Sequence, residues 1–239
     1  MTTKRKYRYN RSDFKPLPVR LEHMNIRLNF LDDKVEGTNT LWMTARKPLD
    51  RIKLDALDIK IRSVRPAGKK GKALDYDYPA GSHVLSVKLP ARVERGRTFA
   101  ITINAECVPS DNILEGIYKD TTPPGCPQQY MSQCQQWGFQ RILPVLDDCA
   151  AKCTMVTTIE ADARYTHLVS NGDIRKSSNP DGKPVPVPGN PLRQVITYEN
   201  LIPMAPYLFI ACVGTWDTLE DEVVYHSGRH VKLEYLVPP

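Results

Sequence analysis

No stretch of the chain approaches the roughly 20 apolar residues that a membrane-spanning helix requires, and the N-terminus lacks the apolar core of a secretory signal. Both absences point to a soluble, cytoplasmic protein. Also missing are H-E-x-x-H, G-x-S-x-G and any glycine-rich phosphate loop, so no zinc-hydrolase site, serine elbow or nucleotide cradle can be assembled from the chain. His23, His83, His167, His226 and His230 are scattered along it. Helical signal is scarce as well: only "DDCAAKC" combines an acidic first turn with good helix formers, enough for a turn or two. No internal repeat and no break in composition isolates a second core.

What is present is 239 residues, long enough to bury a real core. The formal charge of +6 suggests nucleic acid until it is located. Residues 1–20 carry seven Lys or Arg against only Asp13, so the remainder is close to neutral. Residues 1–12, with "KRKYRYNR", read as a solvated basic arm, and neither nucleic acid nor membrane is expected as a partner. The six cysteines (Cys107, Cys126, Cys134, Cys149, Cys153 and Cys212) are read as buried or free thiols. A chain this long needs no disulfide staples. Cys149 and Cys153 have a spacing that suits one face of a helical turn, but zinc takes four ligands and histidine is sparse nearby.

Strands announce themselves by period-two alternation. Met24, Ile26, Leu28 and Phe30 share one face of "EHMNIRLNF", which predicts a half-buried antiparallel strand. In "RIKLDALDIKIRSV" the apolar set runs through Ile52 and Leu54, then switches phase to Leu57, Ile59 and Ile61, which calls for a bulge or tight turn near Asp55 and Ala56. Leu85, Val87 and Leu89 alternate, as do Phe99, Ile101, Ile103 and Ala105. Further strands are expected in "TMVTTI", "YTHLVS", "RQVITYE", "YLFIACVGT" and "HVKLEYLV". Residues 173–193, rich in proline and containing Gly182 and Gly189, read as a long surface loop. The sum is one all-β sandwich domain over residues 13–239.

Residues 111–148 stand apart, with Pro123, Pro124 and Pro127, a glutamine-rich run, Trp137 and Phe139. Within and beyond them, "ILEGIY" (113–118), "SQCQQWGFQRILPVLD" (132–147), "HLVSNGD" (167–173), "MAPYLFIACVGTWDTLED" (204–221) and "SGRHVKLEYLV" (227–237) follow one another. In this order and spacing the five motifs resemble the N-terminal domain of the zinc aminopeptidases of the aminopeptidase N type, closest to the bacterial form. The opening "YRYNRSDFKPLPVRLEHMNIRLNF" is similar to that domain's entry strand.

The resemblance implies a saddle-shaped β domain that packs against a thermolysin-like catalytic domain and walls part of its active site. That catalytic domain, with the family's G-x-M-E-N and H-E-x-x-H motifs and its zinc, should begin close to where "EYLVPP" ends. This chain alone should be inactive and hold no cofactor. In the family, the turn matching "SQCQQWGF" supplies a Gln and, two residues on, a Glu that bind the free α-ammonium of a peptide. Gln133 matches the Gln, and Gln135 stands in the position of the Glu. An amide oxygen suits an ammonium donor, but the charged pair would be the stronger one. The plainer alternative is that both amides satisfy backbone groups in a crowded turn. Trp137 and Phe139 read as core or interface anchors, and Asn171 with Gly172 as a tight turn. A non-enzymatic interaction scaffold on the same β domain is the alternative to the aminopeptidase reading.

Overall fold

The computed structural model describes residues 15–68 and 72–239. The basic arm expected over residues 1–12 lies outside them. The chain runs through β1 (Val19–Phe30), β2 (Val35–Ala45), β3 (Leu49–Asp55), β4 (Lys60–Pro66), β5 (Tyr76–Asp77), β6 (Val84–Val93), β7 (Thr98–Cys107), β8 (Gly116–Lys119) and β9 (Tyr130–Gln133). It continues through β10 (Cys153–Asp162), β11 (His167–Ser170), β12 (Asp173–Ile174), β13 (Val185–Val187), β14 (Asn190–Met204), β15 (Ala211–Gly214), β16 (Asp217–Val224) and β17 (His230–Val237). The architecture is an all-β sandwich. The expected turn of helix at "DDCAAKC" is only a hydrogen-bonded turn, closed by the Ala151 N–H on the Asp148 carbonyl at 2.9 Å. Cys149 is exposed there and Cys153 buried, so the two thiols do not share a face.

The large sheet has the order β12-β14-β10-β1-β2-β7-β4, with β13 added on β14. Alternation puts one residue in two on its inner face: Val35, Gly37, Asn39, Leu41, Met43 and Ala45 from β2 are all buried. Met24, Ile26, Leu28 and Phe30 are buried on β1, as their period requires. A register shift between Leu21 and His23 lets Val19 and Leu21 face the same core. β1 is antiparallel to β2 but parallel to β10, so one pairing departs from an otherwise antiparallel sheet. Its outer face is polar, tied by Thr38–Asn104, Thr40–Thr102 and Thr158–Thr197 hydroxyl bonds and by ion pairs of Arg27 with Glu160 and Arg62 with Glu106.

Two smaller sheets, β3-β6-β5 and β11-β15-β9-β8, contribute to the same core. The phase switch at Asp55 and Ala56 marks the change of sheet. β3 ends at Asp55, Asp58 takes a φ of +53°, and β4 joins the large sheet. The 173–193 segment is more ordered than a bare loop. β12 and β13 close onto β14, and Asn179, buried, donates to the Lys183 and Val195 carbonyls while accepting the Thr197 N–H. The β16-β17 ribbon stands apart from the other sheets and is exposed along most of its length.

Candidate functional site

The apolar run Phe139–Leu146 crosses the inner face of the large sheet and carries the preceding turn with it. Phe139 is fully buried and meets Phe209 edge-on, ring centres 5.0 Å apart. Leu143 lies over Gly37, where a Cβ would come within 2.7 Å of its Cδ2. Asn39, buried on β2, donates to the Pro144 carbonyl at 3.2 Å. These contacts anchor one end of the turn; β9, paired to β8 with Gly116 opposite Gln133, anchors the other.

Between the anchors the chain turns sharply. The Gly138 N–H donates to the Cys134 carbonyl at 2.8 Å, and a 3-10 turn, Phe139–Arg141, follows. Cys134 points into the core, whereas Gln133, Gln135, Gln136 and Trp137 are exposed. The structure therefore brings the two predicted glutamines together at the surface. Gln135 donates its backbone N–H to Oε1 of Gln133 at 3.1 Å. One lone pair of that oxygen is thereby used and the other left available. Trp137 is 62% exposed, so of the two expected aromatic anchors only Phe139 enters the core. Exposed Ile113 and Leu114 precede β8, the other strand of this hairpin.

The electrostatic setting is acidic. Arg141 donates to Glu115 at 2.9 Å and to Asp58 at 2.7 Å. The Gln140 N–H donates to Asp147 Oδ2 at 3.1 Å, and the Asp147 N–H to Asp55 Oδ2 at 2.8 Å. Four carboxyl groups thus hold this segment against one guanidinium. Burial pushes the Asp55 carboxyl up, and burial with the nearby Asp55 and Asp148 charges pushes Asp147 up to about 6 despite the Gln140 amide. Sequence reasoning missed Asp55 and Asp147. The one available signal was an acidic pair directly after the apolar "RILPVL".

Other predicted features fall elsewhere. Gly172 has a φ of +93° and no room for a Cβ, which would stand 2.6 Å from the Glu199 carbonyl carbon. Asn171 works instead by its side chain, bridging the Leu208 carbonyl and the Ile210 N–H. Pro123 and Pro124 line an apolar cavity of about 510 Å3 with Met131, Cys212, Trp216 and Leu236. Burial raises the Cys212 thiol to about 11 and those of Cys107 and Cys153 to about 12, which suits packing groups and not nucleophiles. His23 and His167 are half-buried and lowered by burial; His83, His226 and His230 are exposed. Among the described residues no group of three or more His, Cys, Asp or Glu side chains could hold a metal ion. None of their helices is long and apolar enough to cross a membrane.

The fold is a helix-poor β sandwich with a polar turn at its surface, braced from the core. The model of the Peptidase M1 N-terminal domain matches residues 7–208, and the chain belongs to that family. It is 26% identical over 233 residues to aminopeptidase N of Caulobacter vibrioides, covering 96% of this chain and 24% of that protein. Aminopeptidase N of Haemophilus influenzae is 28% identical over 244 residues, covering 99% and 25%. The chain thus spans about a quarter of the length of these relatives. Aminopeptidase A of Legionella pneumophila, solved in complex with aspartic acid, has a TM-score of 0.78 at 20% identity over 95% of this chain and 25% of that one. An M1 zinc metallopeptidase of Deinococcus radiodurans, solved with a bound Tyr-Ser-Ala substrate, gives 0.73 at 18% over 92% and 47%. At such identities the structural likeness shows the fold alone.

Proposed function

We propose that this chain is the non-catalytic N-terminal domain of a zinc-dependent aminopeptidase that removes residues from peptide N-termini, and that the Gln133–Gln135 turn lines its active site and binds the substrate α-ammonium. The carrying observation is that Gln133 and Gln135 both stand exposed on one turn braced from the core, with the Gln135 backbone N–H on the Gln133 Oε1. An ammonium seeks oxygen acceptors in such a place. The names of the relatives support the activity, and the Deinococcus structure supports a peptide as substrate. Zinc belongs, on this reading, to the parent's catalytic domain. The donor groups among the described residues do not fit it.

The partner of the domain is then the rest of its own enzyme, acting in the cytoplasm. On the β16-β17 ribbon one side carries Leu219, Val223, Val231, Leu233 and Tyr235, with Asp217 and Asp221 among them, while the other carries Glu220, Glu222, Lys232 and Glu234, with Val224 and Leu236 among them. Such two-sided patterning calls for a cover on the apolar side. The same open face favours a second reading, a scaffold that binds another protein without catalysis.

The test is Gln133→Ala in the parent enzyme. It should raise KM for free-amine peptides and weaken amine-bearing inhibitors, with N-acetylated inhibitors unaffected. Equal loss for both kinds of inhibitor would remove the ammonium assignment. A parent gene without H-E-x-x-H would favour the scaffold.

A further inference from the structure

Asp147 is 5% exposed, deep for a carboxylate, and nothing in the proposed binding of an ammonium uses it. Its Oδ2 takes the N–H of Gln140 at 3.1 Å, one of the amides that open the 3-10 turn Phe139–Arg141. Amides in that position find no acceptor inside the turn. Its own N–H donates to Asp55, whose backbone is bound in both directions to Val145. Leu57, two residues past β3, donates to the Gln140 carbonyl at 2.9 Å. Oδ1 of Asp147 is buried with no hydrogen-bond partner among the described residues. A bare buried oxygen is costly, so a carboxylate is an expensive way merely to close a turn.

From Gln140 the grip passes to the glutamines in short steps. Gly138 precedes Phe139, and its missing Cβ leaves room for the Gln133 carbonyl against the Gly138 backbone. Displacing Phe139 and Gln140 therefore displaces Gln133, and with it the Oε1 that receives the Gln135 N–H. We infer that Asp147 is a positioning residue: through the Gln140 amide it fixes the turn that presents Gln133 and Gln135, and its protonation changes that grip. The titratable groups facing it are Asp55 from β3, Asp148 from its own segment and the Cys134 thiol of the turn. The inference rests on the proposed function only for the purpose of the turn. Its test contains no ligand, so either can fail while the other stands.

The experiment is a pH titration of the 15N-labelled chain from about pH 4.5 to about 7.5. The Gln140 backbone amide should shift with a midpoint near 6, set by Asp147. The Gln133 side-chain amide and the Gln135 backbone amide should follow with the same midpoint. Asp147→Asn keeps an acceptor for Gln140 and should abolish that midpoint at all three positions. Asp147→Ala should speed hydrogen exchange at Gly138 and Gln140 about tenfold relative to the amides of β1 and β7. Glutamines that stay still while Gln140 titrates would overturn the inference, as would Asp147→Ala accelerating every amide alike. If Asp147→Ala does not fold, the titration of the unaltered chain still decides.

Discussion

The backbone of Gly138 packs directly on the carbonyl of Gln133, with a would-be Cβ falling on that oxygen and 2.8 Å from the Cys134 Cα. Its φ of −83° is one any residue can adopt, so the constraint is space and not backbone hand. Gly138→Ala forces two backbone segments apart in a region braced by Phe139 and Gly116. The expected cost is about 2–3 kcal/mol, the range for overpacking a tight site. A urea-unfolding midpoint unchanged by the substitution would contradict this geometry.

Acidification should act on the fold through Asp55 and Asp147. Both carboxyl groups are raised in the folded state, so the native chain binds protons that the unfolded chain has already released. The contribution of Asp147 is most favourable below the unfolded value near 3.8 and is lost as pH rises through about 6, and Asp55 acts in the same sense. Glu22 and Glu106 are lowered and act in the opposite sense, so the measurement is a difference. Relative to the unaltered chain, Asp147→Asn should gain about 1–2 kcal/mol between pH ~4 and ~7. Parallel stability curves for the two proteins would show that Asp147 does not titrate in this window.

How far the sequence reveals this depends on the range of each interaction. Met24, Ile26, Leu28 and Phe30 are legible because burying one sheet face imposes a period of two on neighbouring residues. The break at Asp55 is legible for the same reason, as a lost phase, but its meaning as a change of sheet is not. The parallel pairing of β1 with β10 joins residues more than a hundred positions apart, which no local pattern encodes. Gln133 and Gln135 came from the family resemblance, since glutamines in a turn carry no chemical signature of their own. Asn39 and Asp147, and the carboxyl of the half-buried Asp55, escaped because burial of a polar side chain depends on what distant segments lay over it. Trp137 and Phe139 look equivalent in the sequence; only the turn between them and Gly138 decides which one enters the core.

The apolar side of the β16-β17 ribbon gives the isolated chain little stability. Leu219 is 60% and Tyr235 53% exposed. Replacing both by Ser should leave the urea midpoint within about 0.5 kcal/mol of the original, as for surface positions generally. It should also lower binding of a hydrophobic dye, since it removes exposed apolar surface. If the rest of the proposed parent enzyme covers this face, the same pair of changes should destabilise that enzyme. Equal destabilisation in the isolated chain would mean that the ribbon folds onto this domain.

Gln135 bears most directly on the chemistry of the turn. It sits two residues after Gln133, exposed, with its backbone N–H already committed to the Gln133 Oε1. A carboxylate there would point from the same turn without disturbing that bond. Glu115 cannot serve in its place while Arg141 holds it at 2.9 Å. Gln135→Glu should therefore strengthen binding of free-amine peptides and inhibitors to the parent enzyme by roughly 1 kcal/mol, the gain from charging one partner of an ammonium hydrogen bond in a partly desolvated site. The gain should shrink as salt is added if the site stays open to solvent. N-acetylated ligands, lacking the charge, should bind as before. A gain for both ligand classes would assign the effect to the shape of the turn, and no change in either would place the turn outside the ammonium site.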